Sequence, residues 1–312
     1  MNITPGYFIT LEQDRTLAIA LHVHFGLSTV LNCVAYYCLL RKTPDYMLSV
    51  RKYLLLIQTA TMLIDLVDDI LVRIVLLTPA MAFYCTGVLC TDGIPINVPL
   101  ALFISLGCLV AVGVTMCFVF KHQTVIPETS WLKLNKMLFK LVHAAAWSAC
   151  PIGFIVLLLM PLDKNVSDRA MVTYPFHLQW IRDRGSYSVS EKADFIRVFG
   201  VLIIAGVLCT MLNNNIIVWH IYYTLNHMLV VPSFFLFVPV IVTGFVTVMD
   251  IGNIDVGLIA TPIMLLHSLV HSIILLAITP VYRSFLLSFF RRRISKQAPA
   301  ASLASVTSSH TR

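Results

Sequence analysis

Residues 53–77 read YLLLIQTATMLIDLVDDILVRIVLL, with fifteen Leu, Ile and Val residues and neither Pro nor Gly. As a helix this stretch crosses about 30 Å of hydrocarbon, which takes about 20 residues. Yet it carries Asp65, Asp68, Asp69 and Arg73. On the insertion scale each such charge near a helix centre costs about 2.5–3.5 kcal/mol, and each aliphatic residue returns about 0.3–0.6 kcal/mol. The segment is marginal alone, so neighbouring helices must supply polar partners. At 3.6 residues per turn Asp65, Asp68 and Asp69 share one side, and Asp69 and Arg73 form an i, i+4 pair able to neutralise two charges. Two readings of Asp65 stand side by side: a protonatable or ion-linked switch facing a bundle interior, or a packing contact, with Asn32 as its expected partner.

The neighbours are present. Apolar stretches at 17–40, 53–77, 98–120, 137–160, 195–223, 229–249 and 256–279 give seven expected spans. Of 312 residues 58% are hydrophobic and 12% charged, which leaves little for a separate soluble domain. The net charge of +7 is spread over short loops without aromatic interleaving, so a nucleic-acid partner is excluded and a lipid bilayer fits. The fold class is an all-α membrane protein, a seven-transmembrane helix bundle.

Lys and Arg crowd three connections that fall on one side: RKTPDYMLSVRK after the first span, KHQTVIPETSWLKLNK after the third, PVYRSFLLSFFRRRISK after the seventh. The loop after the second span has neither residue, and neither has DIGNID after the sixth. The positive-inside rule then puts the N-terminus outside and the C-terminus in the cytoplasm. The basic residues of the long connection 161–192 weigh little against this, because long loops translocate largely regardless of charge. The opening MNITPGYFITLEQDR has no signal-peptide pattern, so span one is expected to be an uncleaved anchor. The sequons at Asn2 and Asn165 both fall on the outer side, as glycosylation requires. The organisation is an extracellular segment 1–16, a bundle 17–279, an amphipathic inner-leaflet helix 280–293 and a disordered Ala/Ser/Thr-rich tail 294–312.

Most cysteines lie inside spans. Cys85 and Cys90 share a loop and are the disulfide candidates, although five residues apart they serve equally as free thiols. His267 and His271 stand at i, i+4 with Ser268 and Ser272 beside them. Such a pair can bind zinc if further ligands are found, or hydrogen-bond to other helices. Pro232 and Pro239 interrupt span six, as a hinge or a static bend. No phosphate loop, HExxH, nucleophile elbow or Cys-x-x-Cys knuckle is present, so neither a cofactor nor a resident metal is expected.

Asn32, the stretch TPDYMLSVRKYLLLIQ leading to Asp65, FYCTGVL around Cys85, KHQ at 121–123, and HSLVHS with PVYRSFL after span seven combine into a pattern. It resembles the nematode serpentine chemoreceptors, seven-helix G-protein-coupled receptors, over nearly the whole chain. Phe-Tyr-Cys-x-Gly and Lys-His-Gln resemble class i, and Thr-Pro-x-x-Met resembles class h. Phe120-Lys121-His122 stands where rhodopsin-like receptors carry an acidic-Arg-aromatic triplet, and span seven ends without Asn-Pro-x-x-Tyr.

The resemblance implies a receptor for a small-molecule ligand that signals to a heterotrimeric G protein. Its implied pocket walls, taken from depth in the outer half, are Asp69, Arg73, Phe103, Gly107, Phe199, Thr243, Thr247 and Met264. The implied inner-face contacts are Arg41, Lys42, Lys52, Lys121, His122, Tyr282 and Arg283. Two rivals differ in class. An intramembrane zinc hydrolase would use His267 and His271, but span two offers it no His. A cation channel or transporter would use Asp65, Asp68 and Asp69, but an odd span number without a repeat speaks against most transporter folds.

Overall fold

The computed structural model describes residues 8–78, 82–90, 94–130, 133–159, 164–173, 178–189, 234–235, 238–246, 249 and 255–297. Helix α1 (Leu11–Arg41) opens on a reciprocal cap: Thr10 Oγ1 accepts from the Gln13 amide at 3.1 Å and the Thr10 amide donates to Gln13 Oε1 at 2.8 Å. Two backbone donors without helical partners are thereby satisfied. A bend at Thr43 and Pro44 and a 3-10 turn (Asp45–Met47) lead into α2 (Leu48–Leu66), which continues as a π-helical turn (Val67–Val72).

Helical geometry stops there. Span two, expected to run on to residue 77, is cut short because Arg73 takes a left-handed conformation (φ 33°, ψ 80°), which a right-handed helix of L-residues cannot absorb. The chain instead enters β1 (Ile74–Leu77), which pairs antiparallel with β2 (Ala82–Cys85) from Ile74 opposite Cys85 to Leu77 opposite Ala82. Strand β3 (Ser186–Val189) pairs with β2 on its other side, in the order β1-β2-β3. The helical bundle thus carries a small sheet, which the all-helical expectation omitted.

Helices α3 (Asn97–Val125) and α4 (Lys136–Leu158) follow, the second capped by Asn135, whose Oδ1 accepts from the Leu138 amide at 2.7 Å. The 161–192 connection supplies α5 (Lys164–Thr173), a 3-10 turn (Gln179–Asp183) and β3. Last come α6 (Asp255–Ile278), which is expected span seven, and α7 (Pro280–Gln297), which runs past the expected boundary at 293. Among the described residues four helices, α1, α3, α4 and α6, are long and apolar enough to cross a membrane. Expected span five lies outside the described residues, and of span six only 234–235, 238–246 and 249 lie within them.

Helix directions alternate, so the bundle has a sheet end and a turn end. At the sheet end Asn97 Nδ2 donates to the Leu158 carbonyl at 2.6 Å, joining the start of α3 to the end of α4. Gly257 at the start of α6 lies flush on β1: a Cβ there would stand 2.3 Å from the Leu76 carbonyl oxygen. One apolar core, with Tyr53, Ile57, Cys117, Leu275 and Tyr282, holds the turn end. A second, with Ile64, Val67, Phe83 and Phe103, lies under the sheet. A third, with Ile9, Tyr84, Leu178, Ile181 and Tyr187, forms a cap over it, where each fully buried aliphatic side chain contributes about 1.5–3 kcal/mol.

Candidate functional site

Between the two ends, six polar side chains from three helices meet at 3% exposure or less: Ser28 and Asn32 of α1, Gln58 and Asp65 of α2, Ser268 and Ser272 of α6. Gln58 Nε2 donates to Asn32 Oδ1 at 2.5 Å and to Ser272 Oγ at 2.8 Å, while Ser272 Oγ donates to the same Asn32 oxygen at 2.5 Å. Asn32 Nδ2 donates to Ser28 Oγ at 3.1 Å and to Ser268 Oγ at 3.3 Å, and Ser28 Oγ donates to Asp65 Oδ2. The chain of donors therefore runs Asn32 to Ser28 to Asp65, an order that suits a carboxylate acceptor at its end. The expected Asp65–Asn32 contact is indirect, with Ser28 between them.

Asp65 also lines a cavity of about 10 Å³, the room that one water needs, together with Ile64, Val110, Met264, Leu265, His267 and Ser268. Gly107 of α3 faces the same helix stretch, since a Cβ there would lie 3.9 Å from Ile64 Cδ1. Phe103 packs in the core that contains Ile64, and Met264 packs against it. Of the expected pocket residues, Met264 thus lines the cavity beside Asp65, while Phe103 and Gly107 lie at its neighbour Ile64. His267 and His271 are buried and stack on one another, ring centroids 6.0 Å apart. Among the described residues no group of three or more His, Cys, Asp or Glu could hold a metal ion.

Asp69 and Arg73 form a separate site towards the sheet. Their i, i+4 pair is long, Arg73 Nη2 to Asp69 Oδ1 at 4.0 Å, because the left-handed backbone at Arg73 swings its side chain off the helical path. Arg73 Nη2 donates instead to the Asp69 carbonyl at 3.0 Å. The near partner of the Asp69 carboxylate is His22 of α1, Nδ1 to Oδ1 at 2.6 Å, and His22 Nε2 lies 3.3 Å from Arg73 Nη2. Asp68 is buried among the charges of Asp65, Asp69 and Arg73. His22, Ser28 and Gln58 are not among the residues expected from the sequence; the signal for them is a polar side chain in an otherwise apolar span, at the depth of an acidic one.

Arg184 fastens the cap. With its side chain 8% exposed it pairs with Asp14 at 3.2 Å, donates to the Ile9 carbonyl at 2.7 Å and lies 5.5 Å from the Trp180 ring. Tyr84 OH donates to Asp14 at 3.1 Å; burial, then the Asp14 charge, pushes this phenol well above its ordinary range and keeps it a donor. Cys85 and Cys90 are joined as a disulfide with Cα atoms 5.4 Å apart. Asn165 is exposed on α5, while Ser167 of its sequon is buried and accepts from the Val189 amide at 3.2 Å.

At the turn end Arg41 and Arg283 are exposed. Lys42 Nζ lies 5.2 Å from the Phe285 ring, Lys52 Nζ lies 4.9 Å from the Tyr53 ring, and Lys121 is half-buried. Tyr282 departs from the expected surface role: it is fully buried, because its hydroxyl reaches Thr43 Oγ1 at 2.8 Å and holds the ring inside the core. Thr243 is half-buried in helical residues 238–246. Phe199, Thr247, Asn2 and the His122 side chain lie outside the described residues.

No curated protein matches the chain. A family model, serpentine type 7TM GPCR chemoreceptor Srh, matches residues 12–229, more than half of the chain, including Asn32, Asp65, the disulfide and Arg184 of the cap. An apolar multi-pass helical chain matched over that length is a membrane protein of the same kind: the chain belongs to the serpentine seven-transmembrane G-protein-coupled chemoreceptor family Srh.

Proposed function

We propose that the chain detects a small molecule in the capped half of its bundle and signals to a heterotrimeric G protein at the basic turn end. The N-terminus is outside the cell and the C-terminus cytoplasmic. The observation that supports this most is the polar network: six buried side chains tie α1, α2 and α6 at mid-depth, between the capped end and the basic end. A network of that kind has discrete arrangements of donors, so a ligand that prefers one arrangement shifts the population by its differential affinity and no more. Phe103, Gly107 and Met264, with Asp69, Arg73, Phe199, Thr243 and Thr247, are the residues assigned to the ligand. Arg41, Lys42, Lys52, Lys121, His122 and Arg283 are assigned to the partner, and Tyr282 to holding α7. Asn2 and Asn165 are assigned as glycosylation sites.

The full chain expressed at the cell surface with a promiscuous G protein should give a signal to at least one of a panel of volatile and water-soluble cues. The signal should be lost on replacing Gly107 by Phe, which fills the space beside Ile64. A cytoplasmic N-terminus in a protease-protection assay would overturn the orientation. Cation flux through the purified chain in liposomes, abolished by Asp65→Asn, would replace signalling by a channel; stoichiometric zinc lost in His267→Ala would replace it by a hydrolase.

A further inference from the structure

Thr43 stands in the bend between α1 and the 3-10 turn that precedes α2, with exposed Arg41 and Lys42 before it and Pro44 after it. Its hydroxyl donates to the Leu39 carbonyl one turn back, so the Tyr282 phenol, 2.8 Å from Thr43 Oγ1, must be the donor to it. Tyr282 is fully buried. Thr43 is therefore the catch that holds the start of α7 against the α1–α2 turn. Phe285, one turn further along α7, adds to the hold through Lys42 at 5.2 Å and the Tyr37 ring at 5.5 Å.

The same bend has the chemistry of a phosphoryl acceptor. Thr43 lies outside helical hydrogen bonding, its backbone biased towards the extended region by the proline that follows. Pro44 itself is extended (φ −67°, ψ 155°). The two exposed cations that precede Thr43 in the chain, Arg41 and Lys42, are of the type that takes phosphate oxygens by charge-assisted hydrogen bonds. We propose that Thr43 is a phosphorylation site and that the phosphate releases α7 from the α1–α2 turn; the proposal rests on the reading that this turn faces the cytoplasm.

In the transfer, Thr43 Oγ1 attacks the γ-phosphorus of a nucleoside triphosphate. The Oγ1–P bond forms as the bond from that phosphorus to the β,γ-bridging oxygen breaks. The nucleoside diphosphate leaves, and the hydroxyl proton passes to the base of the kinase. The ester oxygen has no proton left for Leu39, and a group carrying about −1.5 to −2 charge cannot stay against a carbonyl oxygen. It swings to Arg41 and Lys42, which leaves the buried Tyr282 hydroxyl without its Thr43 acceptor and the start of α7 without its catch. Attack also requires the Leu39 and Tyr282 bonds to be open first. Modification therefore selects molecules in which α7 is already loose and holds them there.

The full-length chain in detergent is incubated with Mg-ATP and a proline-directed Ser/Thr kinase, and the tryptic peptide TPDYMLSVR, residues 43–51, is fragmented. Phosphate on Thr43 is expected. Its initial rate should rise about fivefold in Tyr282→Phe, the population change that one ordinary hydrogen bond supports. Hydrogen exchange across residues 280–290 should rise on phosphorylation. A peptide left unmodified in both the wild type and Tyr282→Phe overturns the site; phosphate on Thr43 with unchanged exchange overturns the catch. Sealed right-side-out vesicles separate the orientation from the chemistry. Thr43 should be modified there only after permeabilisation, and modification of intact vesicles overturns the cytoplasmic reading while leaving the site in place.

Discussion

Gln58 Nε2 donates to Asn32 Oδ1 at 2.5 Å and to Ser272 Oγ at 2.8 Å, so one side-chain amide joins α1, α2 and α6. Replacing Asn32 by Ala removes the acceptor of the Gln58 and Ser272 bonds and the donor of the bonds to Ser28 and Ser268, among side chains at 3% exposure or less. Leaving buried partners unsatisfied costs about 1–3 kcal/mol. Asn32→Ala should lower the thermal midpoint of the detergent-solubilised chain by several degrees. Because Gln58 acts on the same oxygen, Asn32→Ala and Gln58→Ala should be less than additive in a double-mutant cycle. Additivity would show that the two residues act independently.

Gly185 has φ +135°, and a Cβ there would lie 2.5 Å from the Cys85 carbonyl oxygen, a backbone atom that cannot yield without breaking the β2–β3 pairing. Gly185→Ala should therefore detach the 161–192 connection from the sheet and expose it to protease. Gly153→Ala, where a Cβ would meet nothing within 4 Å, is the matched control and should behave as wild type. Equal protease sensitivity of the two variants would remove the steric account.

How much of this was legible beforehand follows from what each feature depends on. The runs at 17–40, 98–120, 137–160 and 256–279 correspond to α1, α3, α4 and α6, because a long apolar run is a helix in lipid whatever its neighbours do. The end of span two was not legible: Ile74 to Leu77 is as apolar as the helix before it, and what makes it a strand is pairing with β2, which β3 from far along the chain holds on its other side. The same holds for the site. That Asp65 needed a partner could be read from its charge, but that Ser28 stands between it and Asn32 could not. Of the two receptor classes that the motifs resembled, the family to which the chain belongs is the h class, the one favoured by Thr43-Pro44-x-x-Met47.

Arg184, on the 161–192 connection, holds Ile9 of the N-terminal segment and Asp14 of α1, which in turn accepts from Tyr84 of the hairpin. Arg184→Gln loses the Asp14 pair and reaches the Ile9 carbonyl poorly, so the cap should loosen while the bundle stays folded. We expect faster proteolysis of the segment before α1 with little change in thermal midpoint. Asp14→Asn should produce a weaker form of the same effect, because Arg184 keeps the Ile9 carbonyl. If Asp14→Asn is the more severe, the anchor is the carboxylate with its Tyr84 bond and not the guanidinium.

Removing the Cys85–Cys90 bond tests how far the cap depends on a local staple. The closed loop is short, and chain entropy alone assigns such a bond about 2 kcal/mol. Cys85→Ser with Cys90→Ser should weaken the cap less than Gly185→Ala does, because the strand pairing from Ile74 to Cys85 persists without it. Retention of surface expression in the double serine variant, next to its loss in Gly185→Ala, is the expected pattern. The reverse order would make the disulfide the main support of the sheet.

Asp65 decides between a switch and a simple tie. Asn at this position keeps a side-chain oxygen to accept from Ser28 and removes the charge, whereas Ala removes both. If the residue only ties helices together, Asp65→Asn should fold, bind and signal as the wild type does, and only Asp65→Ala should lose about 1–3 kcal/mol of stability. If ionisation of Asp65 biases the helix arrangement, Asp65→Asn should keep the wild-type thermal midpoint to within about 1 kcal/mol and yet change the ligand-independent G-protein signal. We expect the second outcome. A carboxylate at 3% exposure, bordering a cavity of about 10 Å³ with His267 and Ser268, is an expensive way to achieve what an amide would do as well. Unchanged basal signalling in Asp65→Asn at matched surface expression would reduce Asp65 to packing.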